Sequence, residues 1–208
     1  MANRSYLYSS NIKPTAGVAA SEKKLVGISE WNYDIPLVYR LLLSGDTEVC
    51  HTSIWDTDEK IAILGNYDKG FDALEKFLLQ IKDPMAQELI QEALTFLVDE
   101  NNRNKFFVLE CGEIYEMGGD DFLSQNMSLF EEIKSDVADD AEQALEMLNK
   151  VREAQEAPPV QESQSLWNKL FGSKKKQPSL ASQNTQADPM QEYYELGLGN
   201  WSNILYFS

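Results

Sequence analysis

The chain has 208 residues, 43% of them hydrophobic and 11% aromatic, enough to bury a sizeable core without disulfide staples. Its formal net charge is -16, and the excess sits in the middle: residues 51–150 hold 8 Lys plus Arg against 23 Asp plus Glu. Such a field repels phosphate backbones, which need cations to replace their counterions, so it argues against nucleic-acid binding and for a basic protein as partner.

Two Cys in a chain of this length do not make a disulfide framework, and MANRSYLYSSN has neither a basic n-region nor an apolar h-region. The expectation is a cytoplasmic protein with both thiols reduced. Apolar runs such as Ile35 to Leu43, interrupted by Arg40, fall well short of the roughly 20 residues of a membrane-spanning helix, so no transmembrane segment is expected.

In chain order, the β-branched and aromatic stretches Arg4 to Ser9 and Lys24 to Ser29 read as strands. A helix follows from Pro36 to Leu43, with Asp34 placed to accept N–H bonds at its start and Gly45 as a left-handed cap at its end. Lys60 to Leu64 reads as a third strand. After NYDKG, Phe71, Leu74, Phe77, Leu78 and Ile81 share one face of a second helix. Asp83-Pro84 starts a third, with the carboxylate as N-cap and Met85, Leu89, Ala93, Phe96 and Leu97 as its apolar stripe.

Lys105 to Glu110 is the fourth strand. From about Asp121, after Gly118-Gly119, the series Phe130, Ile133, Val137, Ala141, Ala144, Leu148 and Val151 predicts one long helix with a continuous seam. Residues 154–190, rich in Gln, Ser, Pro, Ala and Asn, read as a polar linker, whereas the apolar NILYFS predicts a fifth strand, Asn203 to Phe207, returning to the sheet. The fold expected is α+β, a mainly antiparallel sheet of about five strands with about four helices packed on it. Its organisation is a domain over 1–153, the linker, and 191–208 completing the same domain.

Enzymatic signatures are sparse. His51 is the only histidine, and its neighbour Cys50 projects to the opposite face of an extended segment, which disfavours a dyad. CGE at Cys111 resembles no cysteine-hydrolase signature. A Cys50, His51, Cys111 and Glu113 metal set lacks the paired, closely spaced ligands of a structural zinc site. WDTDEK (55–60) and MGGDDF (117–122) read as polar turns, and GLGN (197–200) matches no phosphate-binding loop. No catalytic residue, metal or cofactor is assigned, though carboxylate pairs such as Glu110 with Glu113 leave an enzyme or small-molecule-binding reading open.

Three features carry more. SEWNYDIPL (29–37) is either a helix start, with Trp31 and Tyr33 folded onto the core, or a recognition loop with those aromatics as anchors. The outward face of the long helix bears Glu132, Asp136, Asp139, Asp140 and Glu146, with Lys134 the nearest cation before Lys150. Like charges three and four apart cost helix stability, which suits an acidic ridge awaiting a basic partner as well as a solvated face. SLWNKLFGSKKK (165–176) sets Trp167, Leu170 and Phe171 beside lysines, an amphipathic motif for a groove, a partner or an anionic membrane surface.

MANRSYLY, GISEWNYDIPL and ILGNYDKGFDALEKFL give residues 1–120, and more loosely the C-terminal strand, a resemblance to an uncharacterised family of bacterial cytoplasmic proteins; it brings no catalytic residues. The acidic α+β composition with GNYDKGFDALEKFL is also similar, generically, to bacterial toxin-immunity proteins. That likeness implies neutralisation of a basic toxin by binding.

Overall fold

The computed structural model describes residues 3–15, 23–156 and 190–207. Strands β1 (Arg4–Ser10), β2 (Leu25–Asn32), β3 (Glu48–Cys50), β4 (Ala62–Asn66) and β5 (Phe106–Glu110) form an antiparallel sheet in the order β2-β1-β5-β4-β3. The chain builds the two edges first, and β5 then enters between β1 and β4, pairing Leu7 with Leu109 and Leu109 with Ile63. The α+β architecture is therefore the one expected.

Strand alternation divides the core. Leu7, Ile28, Ile63, Phe107 and Leu109 belong to the large cluster beneath the helices, while Tyr6, Tyr8, Leu64 and Val108 belong to a smaller one that includes Leu205. The helices are α1 (Leu37–Leu43), α2 (Tyr67–Leu78), α3 (Gln87–Val98), α4 (Gly112–Tyr115), α5 (Phe122–Ser135), α6 (Val137–Glu156) and α7 (Gln191–Glu195). α1 and α2 cross so closely that a Cβ on Gly70 would lie 1.8 Å from the Leu42 carbonyl oxygen. Only glycine fits there.

Capping of α2 and of the 3-10 turn before α3 follows side-chain chemistry, while α3 itself has Ala86 at its N-cap. Asn66 accepts from the Lys69 N–H at the start of α2, and Asp83 accepts from the Met85 N–H at a 3-10 turn, Pro84–Ala86, that leads into α3. Met85 itself is exposed rather than part of the α3 stripe. At α1, Pro36 occupies the N-cap and Asp34 Oδ1 accepts only from the Ile35 N–H, so Asp34 does not cap the helix. At the other end Asp46, not Gly45, takes the left-handed conformation, with φ 53°. Gly45 is required for space, since a Cβ would lie 2.5 Å from that of Lys69.

The long helix expected from Asp121 is two helices. Asp136 (φ -112°) ends α5 with its N–H on Glu132 O, and its own carbonyl accepts from Asp140 N–H in α6. The short acidic residues of SDVADD favour such breaks because they compete for the backbone. Ile133, Val137 and Ala144 are nevertheless all buried, so the seam survives the break.

The C-terminal residues return to the sheet beside β2, but through one bridge, Ser29 with Trp201, and not as a strand over Asn203–Phe207. Side chains replace the ladder: Asn203 Nδ2 donates to Gly27 O at 2.9 Å, and Ser202 Oγ accepts from the Ile204 N–H. β3 is the fifth strand instead. Tyr193 and Leu198 are buried in the large cluster, so residues on both sides of 157–189 pack on the same core.

Candidate functional site

The site begins where β2 ends. Tyr33 adopts φ 64°, unusual for a bulky residue, and its N–H donates to Asn3 O at 2.7 Å. Buried Ser5 donates to the Asp34 carbonyl at 2.7 Å. These bonds fix the turn that leaves the Asp34 carboxylate exposed and sends Pro36 into α1. From the other side, Gly197 (φ 100°) lets the C-terminal segment close on Pro36, and the Val38 N–H donates to Leu196 O at 3.0 Å. That contact brings Glu195 and Leu196 to the start of α1.

α6 forms the opposite wall. Asp140 Oδ2 accepts from Arg40 Nη1 at 2.5 Å, tying α6 to α1 across the sequence. The walls enclose an open groove of about 460 Å³. Among the described residues its lining includes four carboxylates, Asp34, Glu132, Asp140 and Glu195, around a single guanidinium, Arg40. Between them lie Ile35, Leu129, Met147 and Leu196. An arrangement of this kind attracts cationic groups and offers apolar contact for their methylene stems.

The structure does not gather all of the expected site residues in one place. Glu132 and Asp140 line the groove. Asp136 and Asp139 are exposed at the α5–α6 junction, outside its lining, with Asp139 in the first turn of α6, where a carboxylate favours the helix dipole. Glu146 pairs with Lys150 at 3.4 Å, an exposed i,i+4 contact. Trp31 is half-buried against the core, whereas Tyr33 is 61% exposed beside the groove-lining Asp34. Trp167, Leu170 and Phe171 lie outside the described residues.

Arg40, Met147, Glu195 and Leu196 are groove residues that sequence reasoning missed. The signal for Arg40 was present: one cation inside LVYRLLL, an otherwise buried helix, requires an anionic partner. Nothing local announces the others, which meet only through the fold.

The residues considered for catalysis are committed elsewhere. Glu110 is fully buried, and its carboxylate accepts from Thr52 Oγ1 at 2.7 Å and Ser53 N–H at 2.5 Å, holding the 51–60 loop to β5. Burial raises its pKa to about 7, against the lowering effect of those bonds and of Lys23. Glu113 instead accepts from the Arg4 N–H at 2.8 Å, so the two do not act as a pair. Burial, then Glu110, pushes the Cys50 and Cys111 thiols up, and both cysteines are free. His51 lines a second cavity, of about 400 Å³, with Lys13 and Lys60. Among the described residues no group of three or more His, Cys, Asp or Glu could hold a metal ion, and no helix is long and apolar enough to cross a membrane.

No curated protein and no solved structure matches the chain. Residues 11–151 match a family described as a domain of unknown function, DUF7822. The match includes Asp34, Arg40, Glu132 and Asp140 but stops short of Glu195 and Leu196. Since it covers more than half of the 208 residues, the chain belongs to the DUF7822 family.

Proposed function

We propose that this protein is a non-enzymatic binding protein that engages a basic protein through the acidic face of α5 and α6 and the groove beside it. The observation that carries this reading is the convergence of Asp34, Glu132, Asp140 and Glu195, from four separate parts of the chain, on one groove in which Arg40 is the only cation among the described residues. A fold that needed only solubility has no reason to gather like charges around a concavity, whereas an electrostatic trap does. Its most concrete form is immunity: a toxin with a basic active surface is occluded when its cations meet these carboxylates, with Tyr33 as an aromatic anchor at the rim. The net charge of -16 and the two buried, free thiols suit a reducing, cytoplasmic setting for that encounter.

The test is capture from native extract at low and moderate salt, comparing wild type with a variant carrying Glu132→Lys, Asp136→Lys and Asp139→Lys. All three side chains are exposed, and none belongs to the Arg40 pair, so the variant is expected to fold. A basic protein retained by wild type, released by salt and lost by the variant supports the proposal. Identical partners on both proteins, or none on either, overturns it.

A further inference from the structure

Beside the acidic groove lies a second, mostly apolar compartment of about 230 Å³, lined by Ala144, Met147 and Leu148 of α6, by Leu196, and by Glu192 and Glu195. Ala144, Met147, Glu195 and Leu196 line both, so the two cavities share a wall and form a depression with unlike halves. Met147 lines both, with 61% of its surface exposed. A flexible thioether in such a place adapts to apolar side chains of differing shape. Glu195 is held in position by Gln191 Nε2, which donates to its Oε1 at 2.7 Å.

We infer that the occupant is a segment of a partner protein carrying an apolar side chain next to Lys or Arg, with the apolar group seated on Met147 and Leu196 and the cations facing Glu132, Asp140 and Asp34. This rests on the acidic-surface reading above and adds the anchor that selects among basic partners. Charge alone attracts any cationic surface; a buried apolar contact next to it supplies the discrimination. The carboxylates on both halves disfavour an acidic segment. They also disfavour a second copy of this acidic chain.

The experiment uses the full chain and two short labelled peptides of Lys and Arg that differ at one central position, Phe in one and Ala in the other. Wild type is expected to bind the Phe peptide about tenfold more tightly than the Ala peptide, a ratio that corresponds to partial burial of one ring. Met147→Gln is expected to abolish that ratio, while Met147→Leu keeps it. Glu132→Gln is expected to weaken both peptides several-fold and to reduce their salt dependence.

Equal binding of the two peptides, sensitive to Glu132→Gln but not to Met147→Gln, overturns the anchor and leaves the acidic-surface reading standing. Failure of both peptides to bind, or binding insensitive to salt and to Glu132→Gln, overturns both. A wild-type dimer dispersed by Met147→Gln assigns the depression to a second copy and overturns the partner segment.

Discussion

Arg40 of α1 and Asp140 of α6, one hundred residues apart in sequence, form a 2.5 Å ion pair that ties the first helix to the acidic half of the chain. The pair positions the groove as well as stabilising it. Both side chains are partly shielded, so the bond is stronger than a surface salt bridge and weaker than a fully buried one. Asp140→Asn is expected to lower stability by about 1 kcal/mol, with a double-mutant cycle against Arg40→Met returning a coupling of similar size. Denaturant unfolding of the four proteins measures it. A coupling near zero would mean that α6 is held to α1 by apolar packing alone.

Glu110 makes a prediction with a definite sign. Its carboxyl is raised from an ordinary 4.5 to about 7 by burial, so between those values the folded protein holds a proton that the unfolded chain has released. The stabilisation this proton represents is complete below pH 4.5 and is lost as pH rises through 7, by roughly 3 kcal/mol if the full difference is expressed. Glu110→Gln keeps an acceptor for the Ser53 N–H and removes the titration. The difference in unfolding free energy between wild type and this variant is therefore expected to change by that amount between pH 4.5 and 8, in favour of the variant at high pH. A difference that stays flat with pH would mean that Glu110 titrates normally.

Much of the architecture was legible from the chain because it rests on local rules. Runs of β-branched and aromatic residues marked β1, β2 and β5, apolar residues at helical spacing marked α2 and α3, and Asp83-Pro84 marked the turn that leads into α3. What could not be read depended on partners distant in sequence. NILYFS has the composition of a strand, yet Asn203 and Ser202 spend their side chains on the backbone and leave one bridge to Ser29. The three-residue β3 is too short to signal itself, and the helix break at Asp136 is invisible to a periodicity that continues through it. For the groove, Glu132, Asp140 and the Asp34 turn were each visible as charge or as a helix start. That they face one another, with Glu195 and Met147, follows only from the α1–α6 pairing and the return of α7.

Gly70 offers a test of the α1–α2 crossing. A methyl group there would meet the Leu42 carbonyl oxygen at 1.8 Å, a backbone contact that no rotamer change can relieve. Gly70→Ala is expected to cost about 3 kcal/mol or more, although alanine normally favours a helix over glycine. Gly119→Ala is the control, because a Cβ at Gly119 has nothing within 4 Å. Thermal unfolding should separate the two variants by several degrees at least. Equal stabilities would mean that α1 and α2 sit farther apart.

The C-terminal segment guards an exposed strand edge, and removing it should change how the protein associates. Beyond the Ser29–Trp201 bridge, the Ser202 N–H donates to Ile28 O at 3.0 Å, Asn203 occupies Gly27 O, and the Tyr206 N–H donates to Glu30 Oε2 at 2.8 Å. On the sheet face, Phe207 sits edge-on to Tyr6 and Trp55, with centroids 5.3 Å away in each case. A chain truncated after Asn200 loses all of these contacts and leaves β2 with free N–H and C=O groups along its outer side, a template for pairing with another chain. The expected outcome is concentration-dependent association in light scattering, together with a change in Trp55 emission as its aromatic neighbour is lost. Tyr8, whose hydroxyl donates to Phe207 O at 2.9 Å, would lose its acceptor at the same time. Asn203→Ala, which removes the Gly27 and Asn102 bonds but keeps the aromatic contacts, is expected to lower stability by about 1–2 kcal/mol without association. A truncated chain that stays monomeric at every concentration would show that the edge is guarded by the twist and burial of β2 itself.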